Sequence, residues 1–107
     1  MSPEGLIRID MISKYDISLA MNRSQRRTLQ RIFGEPTPAD IRWQEIEALL
    51  KAVGAEISEG AGSRIRVALN GVRAVFHRPH PAPETKRGAV RAVRDFLAAA
   101  GIGPDEE

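Results

Sequence analysis

The chain predicts an α+β fold, a three-stranded antiparallel sheet packed on helices in the order α-α-β-β-β-α. Three observations carry this prediction. Asn70-Gly71 sits between two alternating runs, three other segments carry apolar residues at helical spacing, and a glycine closes each of them. Strands clustered between helices, rather than alternating with them, select α+β over a parallel sheet. At 107 residues there is room for one modest core.

The first helix is expected from Asn22 or Ser24, both good N-caps, to Phe33, with Leu29, Ile32 and Phe33 on one side. Gly34 ends it and Pro36 bars its continuation. Arg23, Arg27 and Arg31 lie four apart on its wet side, an ordinary exposed face. The segment Glu35–Asp40 (EPTPAD) reads as a linker. A second helix begins between Asp40 and Trp43 and runs to Val53 on the stripe Trp43, Ile46, Leu49, Leu50 and Val53. Trp43 shares that stripe with leucines and is therefore expected as a core anchor.

Ala55–Glu59 is the first expected strand, followed by the turn Gly60-Ala61-Gly62. Asn70-Gly71 is the signal for a two-residue type I′ turn joining Arg64–Leu69 to Val72–His77. That loop sets the register: Leu69 opposite Val72, Val67 opposite Ala74 and Ile65 opposite Phe76, all on one apolar face. The other face pairs Arg64 with His77, Arg66 with Val75 and Ala68 with Arg73. Pro79, Pro81 and Pro83 stiffen the next loop. The last helix starts around Glu84 to Lys86 and reaches Ala100, with Val90, Val93, Phe96, Leu97 and Ala100 inward and Arg87, Arg91 and Arg94 aligned. Residues 1–20 carry no helical stripe. They are expected as a loosely held arm or an extension ahead of a start at Met21, with a weak strand around Leu6–Ile12. Residues 21–104 form the domain and 105–107 an acidic tail.

Charge is unevenly distributed. The whole chain carries +2, but residues 21–104 hold 14 Lys/Arg against 8 Asp/Glu, a net of +6, and most of those cations are arginine. Arginine's planar fork suits phosphate. With 42% hydrophobic and 28% charged residues the composition is that of a globular chain. No apolar run reaches the roughly 20 residues of a membrane span, and no segment has the form of a signal peptide. The absence of cysteine excludes disulfides and thiolate metal sites and makes the cytoplasm the simplest location.

A helix ending LLKAVGAEISEG, then GSRIRVALNG, then VRAVFHRPHP, then a helix ending FLAAAGI, resembles the HicA family of toxin–antitoxin ribonucleases. The resemblance covers about residues 22–102, in a form with a longer N-terminal helix and an HRPHP box. It implies a double-stranded-RNA-binding-like fold and a small toxin that cleaves mRNA and is held inactive by a HicB antitoxin. The family's catalytic histidine directly follows Gly-Ser at the start of the second strand. In this chain that place is taken by Arg64, after Gly62-Ser63. The family's second histidine, in the loop before the last helix, matches His80.

Metal-free RNA cleavage needs a base for the 2′-hydroxyl, an acid for the 5′ oxygen, and donors for the phosphoryl charge. Histidine titrates near neutrality and serves both proton roles. His77, opposite Arg64, is the candidate replacement for the missing histidine, with His80 its partner and Arg64 a phosphate contact. The candidate RNA-binding set is Ser63, Arg66, Arg73, Arg78, Lys86, Arg87 and Arg91. Arg64, Arg66 and Arg73 on the sheet, with Lys86, Arg87, Arg91 and Arg94 near or on the last helix, are expected to bridge phosphates across an A-form minor groove. Solvent or antitoxin carboxylates are the competing assignment for the last-helix arginines. For the histidines the competing assignment is loop capping, with backbone carbonyls holding both rings. His77-x-x-His80 with Glu84 also offers a zinc set, but without a third strong ligand no metal is expected, and no small-molecule cofactor. Two other functions compete: a non-catalytic RNA- or DNA-binding module, and a protein that only binds its antitoxin.

Overall fold

The computed structural model describes residues 21–104. The expected arm, the weak strand within it and the acidic tail lie outside them. Three helices, α1 (Arg23–Ile32), α2 (Trp43–Ala52) and α3 (Arg87–Ala99), pack with an antiparallel sheet of β1 (Glu56–Glu59), β2 (Arg64–Leu69) and β3 (Val72–His77). The strand order is β1-β2-β3, and the chain order is the predicted α-α-β-β-β-α. No helix among the described residues is long and apolar enough to cross a membrane.

Helix boundaries follow from their caps. Asn22 and Gln25 form a reciprocal capping box at α1, side chain to backbone in both directions at 2.8 and 2.9 Å. The second helix ends in a Schellman motif: Gly54 at φ +95° donates to Lys51 and Ala55 donates to Leu50. Ala55 is therefore spent closing the helix, and β1 starts one residue later than the sequence suggests. The third helix repeats the device, with Gly101 donating to Ala98 and Ile102 to Leu97. Its start is later than expected because Glu84 is drawn into an extended bridge with Arg42. Thr85 N–H donates to Ile41 at 2.8 Å and Trp43 N–H to Pro83 at 3.0 Å, so the chain stays extended until Lys86.

The hairpin register is the predicted one, from Arg64 opposite His77 to Leu69 opposite Val72. Asn70 and Gly71 both have positive φ, 51° and 82°, as a type I′ turn demands. Ile65, Val67, Leu69 and Phe76 are buried in one core with Leu29, Ile32, Ile46, Leu49, Leu50, Val90, Val93 and Leu97. Phe76 is its aromatic hinge. Its ring lies 6.1 Å from Trp43 and meets Phe96 edge-on at 5.8 Å. All three helices pack into one core on the same side of the sheet, and among the described residues nothing covers the opposite face.

A candidate nucleic-acid interface on the open sheet face

Period-two alternation turns the charges of β2 and β3 away from the core. Arg64, Arg66, Arg73 and His77 are exposed together on the open face, with Val75 among them at 52% exposure. Among the described residues the side chains of Arg64, Arg66, Arg73, His77 and His80 make no hydrogen bond or ion pair. The loop-capping assignment for the two histidines is not what this structure contains. Four unpaired polar side chains on a rigid ladder are therefore available to a ligand. Arg64 and His77 are directly paired, which brings their β-carbons to roughly 4.5–5.5 Å.

The turn before β2 fixes where Arg64 points. Gly60 N–H donates to Arg64 at 2.8 Å and Arg64 N–H returns to Ala61 at 3.1 Å. A β-carbon at Gly60 would stand 3.2 Å from the Arg64 carbonyl and 3.3 Å from its Cβ and Cδ, so the arginine stem lies over this glycine. Ser63 is exposed, and its carbonyl accepts the Arg78 N–H at 2.9 Å, carrying the ladder one residue past His77.

His80 sits on a short arch pinned at both ends. One anchor is Arg78; the other is the pairing of Pro83 and Thr85 with Trp43 and Ile41. The Arg78 side chain falls on the helix side of the sheet and not with the other candidates. Its Nε and Nη2 donate to Glu47 of α2 at 2.6 and 3.3 Å, while Nη1 and Nη2 donate to Glu59 of β1 at 2.7 and 2.9 Å. Glu47, 14% exposed, also accepts from the Trp43 indole. Burial pushes the Glu47 carboxyl up, but the Arg78 and Trp43 hydrogen bonds outweigh it and hold it below its ordinary value. The Arg78 hydrogen bond likewise lowers Glu59, and the two carboxylates raise Arg78. Expected among the RNA contacts, Arg78 has its fork filled by protein. Sequence reasoning missed Glu47 and Glu59, which lie 31 and 19 residues away from it; an acidic side chain inside the apolar stripe of α2 was the available signal.

The arginine row of α3 is divided. Arg87 Nε donates to the Thr37 carbonyl at 3.0 Å and Arg94 pairs with Glu35 at 3.0 Å, tying the Glu35–Asp40 linker to α3. Arg91 and Lys86 are exposed and have no side-chain partner among the described residues. On α1, Arg31 pairs with Asp40. No group of three or more His, Asp or Glu side chains among the described residues is placed to hold a metal ion.

Comparison with protein families adds one finding. A family model described as "HicA toxin of bacterial toxin-antitoxin" matches residues 43–102, from the start of α2 through the closing turn of α3. No curated protein and no solved structure matches the chain.

Proposed function

The chain belongs to the HicA toxin family of bacterial toxin–antitoxin systems, and from that premise we propose that it is a metal-independent endoribonuclease acting on mRNA. The observation that carries the reading is the juxtaposition of Arg64 and His77 on a cationic sheet face whose arginines have no partner among the described residues. One imidazole of His77 and His80 takes the proton of the ribose 2′-hydroxyl as its oxygen attacks phosphorus. The other protonates the departing 5′ oxygen, and a 2′,3′-cyclic phosphate remains. Arg64 takes up the charge that develops on the phosphoryl oxygens, a role for which a guanidinium is well shaped. Arg66 and Arg73 continue the phosphate track along the sheet, with Lys86 and Arg91 as outlying contacts. Arg78 acts indirectly in this reading, by fixing the start of the His80 arch.

The protein partner in this reading is a HicB-type antitoxin that presents carboxylates to the same arginines and so closes the face to RNA. Cytoplasmic location follows from an mRNA substrate. Arg64 in the family's histidine position favours one competing reading, a binding module that holds RNA without cutting it. Purified protein incubated with total RNA in chelator separates the two. Cleavage by the wild type, lost in His77→Ala and in His80→Ala, supports the nuclease; binding with no cleavage supports the module. Cleavage untouched by both substitutions refutes the assigned chemistry.

A further inference from the structure

The open face is not uniformly cationic. Between Arg66 and Arg73 it dips into a hollow of about 600 Å³, lined by Glu56, Ser58, Arg66, Ala68, Arg73 and Val75 together with backbone of the three strands. That size falls within the roughly 300–1,000 Å³ usual for small-molecule sites. The register explains its shape. Glu56 of β1 pairs with Ala68 of β2, which pairs with Arg73 of β3, so a methyl group separates a carboxylate from a guanidinium across two strand spacings, roughly 10 Å. Among the described residues Glu56 and Arg73 make no ion pair, and both side chains stay open to a ligand. The next row, Ser58, Arg66 and Val75, supplies a hydroxyl, a second guanidinium and the one exposed large hydrophobic side chain among the described residues.

We propose that this hollow receives one unstacked nucleobase of a single-stranded RNA, which makes it the site that reads sequence. The inference rests on the nuclease reading above and adds a site to it. Each wall meets a part of a nucleotide. Ala68 and Val75 give the ring an apolar floor and side, and the flat guanidinium of Arg66 or Arg73 stacks on its face. The same arginines hold the flanking phosphates. Glu56 repels phosphate, so the sugar–phosphate chain runs on the arginine side and the base edge turns toward β1. There the carboxylate accepts from an exocyclic amino group, as acidic side chains do with cytosine N4. A duplex cannot present a base this way. From the Ala68 row to the Arg64 row is four residues of strand, roughly 13 Å, so the base read lies to one side of the bond cut.

The test uses the full chain and labelled oligoribonucleotides of one length: cytidine, uridine, and an abasic ribose-phosphate chain. Fluorescence anisotropy is expected to give cytidine oligomers at least fivefold tighter binding than uridine or abasic ones. Ala68→Leu, which fills the floor without changing charge, is expected to bring all three within twofold while abasic binding stays unchanged. Exposed Glu56→Ala is the second variant, safe for the fold, and is expected to erase the cytidine-over-uridine preference alone. Equal binding of base-bearing and abasic chains by the wild type overturns the pocket and leaves the nuclease reading standing. Retention of the preference in both variants overturns it too. No affinity for any RNA, with capture instead of a synthetic Glu/Leu peptide, overturns the pocket and the nuclease reading together.

Discussion

Arg78 closes a fork on Glu47, Nε to Oε2 at 2.6 Å and Nη2 to Oε1 at 3.3 Å, and so ties the end of β3 to α2 across the helix side of the sheet. A guanidinium matches a carboxylate bidentately where an ammonium cannot. Arg78→Lys and Arg78→Ala are therefore both expected to lower Tm by several degrees, with the lysine rescuing little. Loss of RNA cleavage beyond the loss of folded protein marks its hold on the His80 arch. Scanning calorimetry beside initial rates makes the comparison; a lysine variant equal to wild type in both refutes the fork.

The same cluster sets an acid limit. Glu47 and Glu59 are both held below their ordinary value of 4.5. A carboxyl whose pKa is lower in the folded state contributes fully above the unfolded value and loses that contribution as pH falls through the folded one. Stability is expected to be flat near neutrality and to decline once pH drops below about 4.5. The variant Glu47→Gln/Glu59→Gln starts less stable at neutral pH and declines less steeply; thermal melts across that range decide it, and an unchanged slope refutes the assignment.

Asn70 does two things at the hairpin tip. It accepts a φ of 51°, and its Nδ2 donates to the Ala100 carbonyl at the end of α3 at 2.8 Å. Asn70→Gly keeps the turn and loses the bond, at about 1 kcal/mol. Asn70→Ala loses both and is expected to cost roughly 2–3 kcal/mol. Urea unfolding ranks them; a glycine variant no better than alanine removes the turn from the account.

Behind His77 stands Phe76, whose ring fills the space between Trp43 and Phe96. Phe76→Ala is expected to cost about 3–5 kcal/mol, and Phe76→Leu less, since it refills most of the volume. Denaturant midpoints test both, and a small loss in the alanine variant would show that the core collapses onto the gap.

RNA affinity should weaken steeply with salt. For single strands each neutralised phosphate contributes about −0.7 to the slope of log K against log[salt]. Arg66→Ala and Arg73→Ala are each expected to flatten that slope by roughly one contact, and Arg78→Ala to leave it unchanged. Titrations at three salt concentrations are enough, and a slope altered by Arg78→Ala alone would reverse the roles of the carboxylate-paired and the open-face arginines.

What could be read from the chain alone is what depends on short spacing. Apolar residues three and four apart announced the helices, Asn70-Gly71 fixed the hairpin register and hence the Arg64–His77 pair, and three glycines marked the helix ends. Each of these signals joins residues near in sequence, where backbone geometry permits few outcomes. The tertiary structure decided which arginines are free. Arg78 and Arg66 look alike in sequence, but folding delivers Glu47 and Glu59 to one and leaves the other facing solvent. The hollow at Ala68 is likewise a product of three strands, because its walls come from side chains that no local period relates. Long-range pairs of this kind form only once the core has placed their elements, and no rule of spacing encodes them.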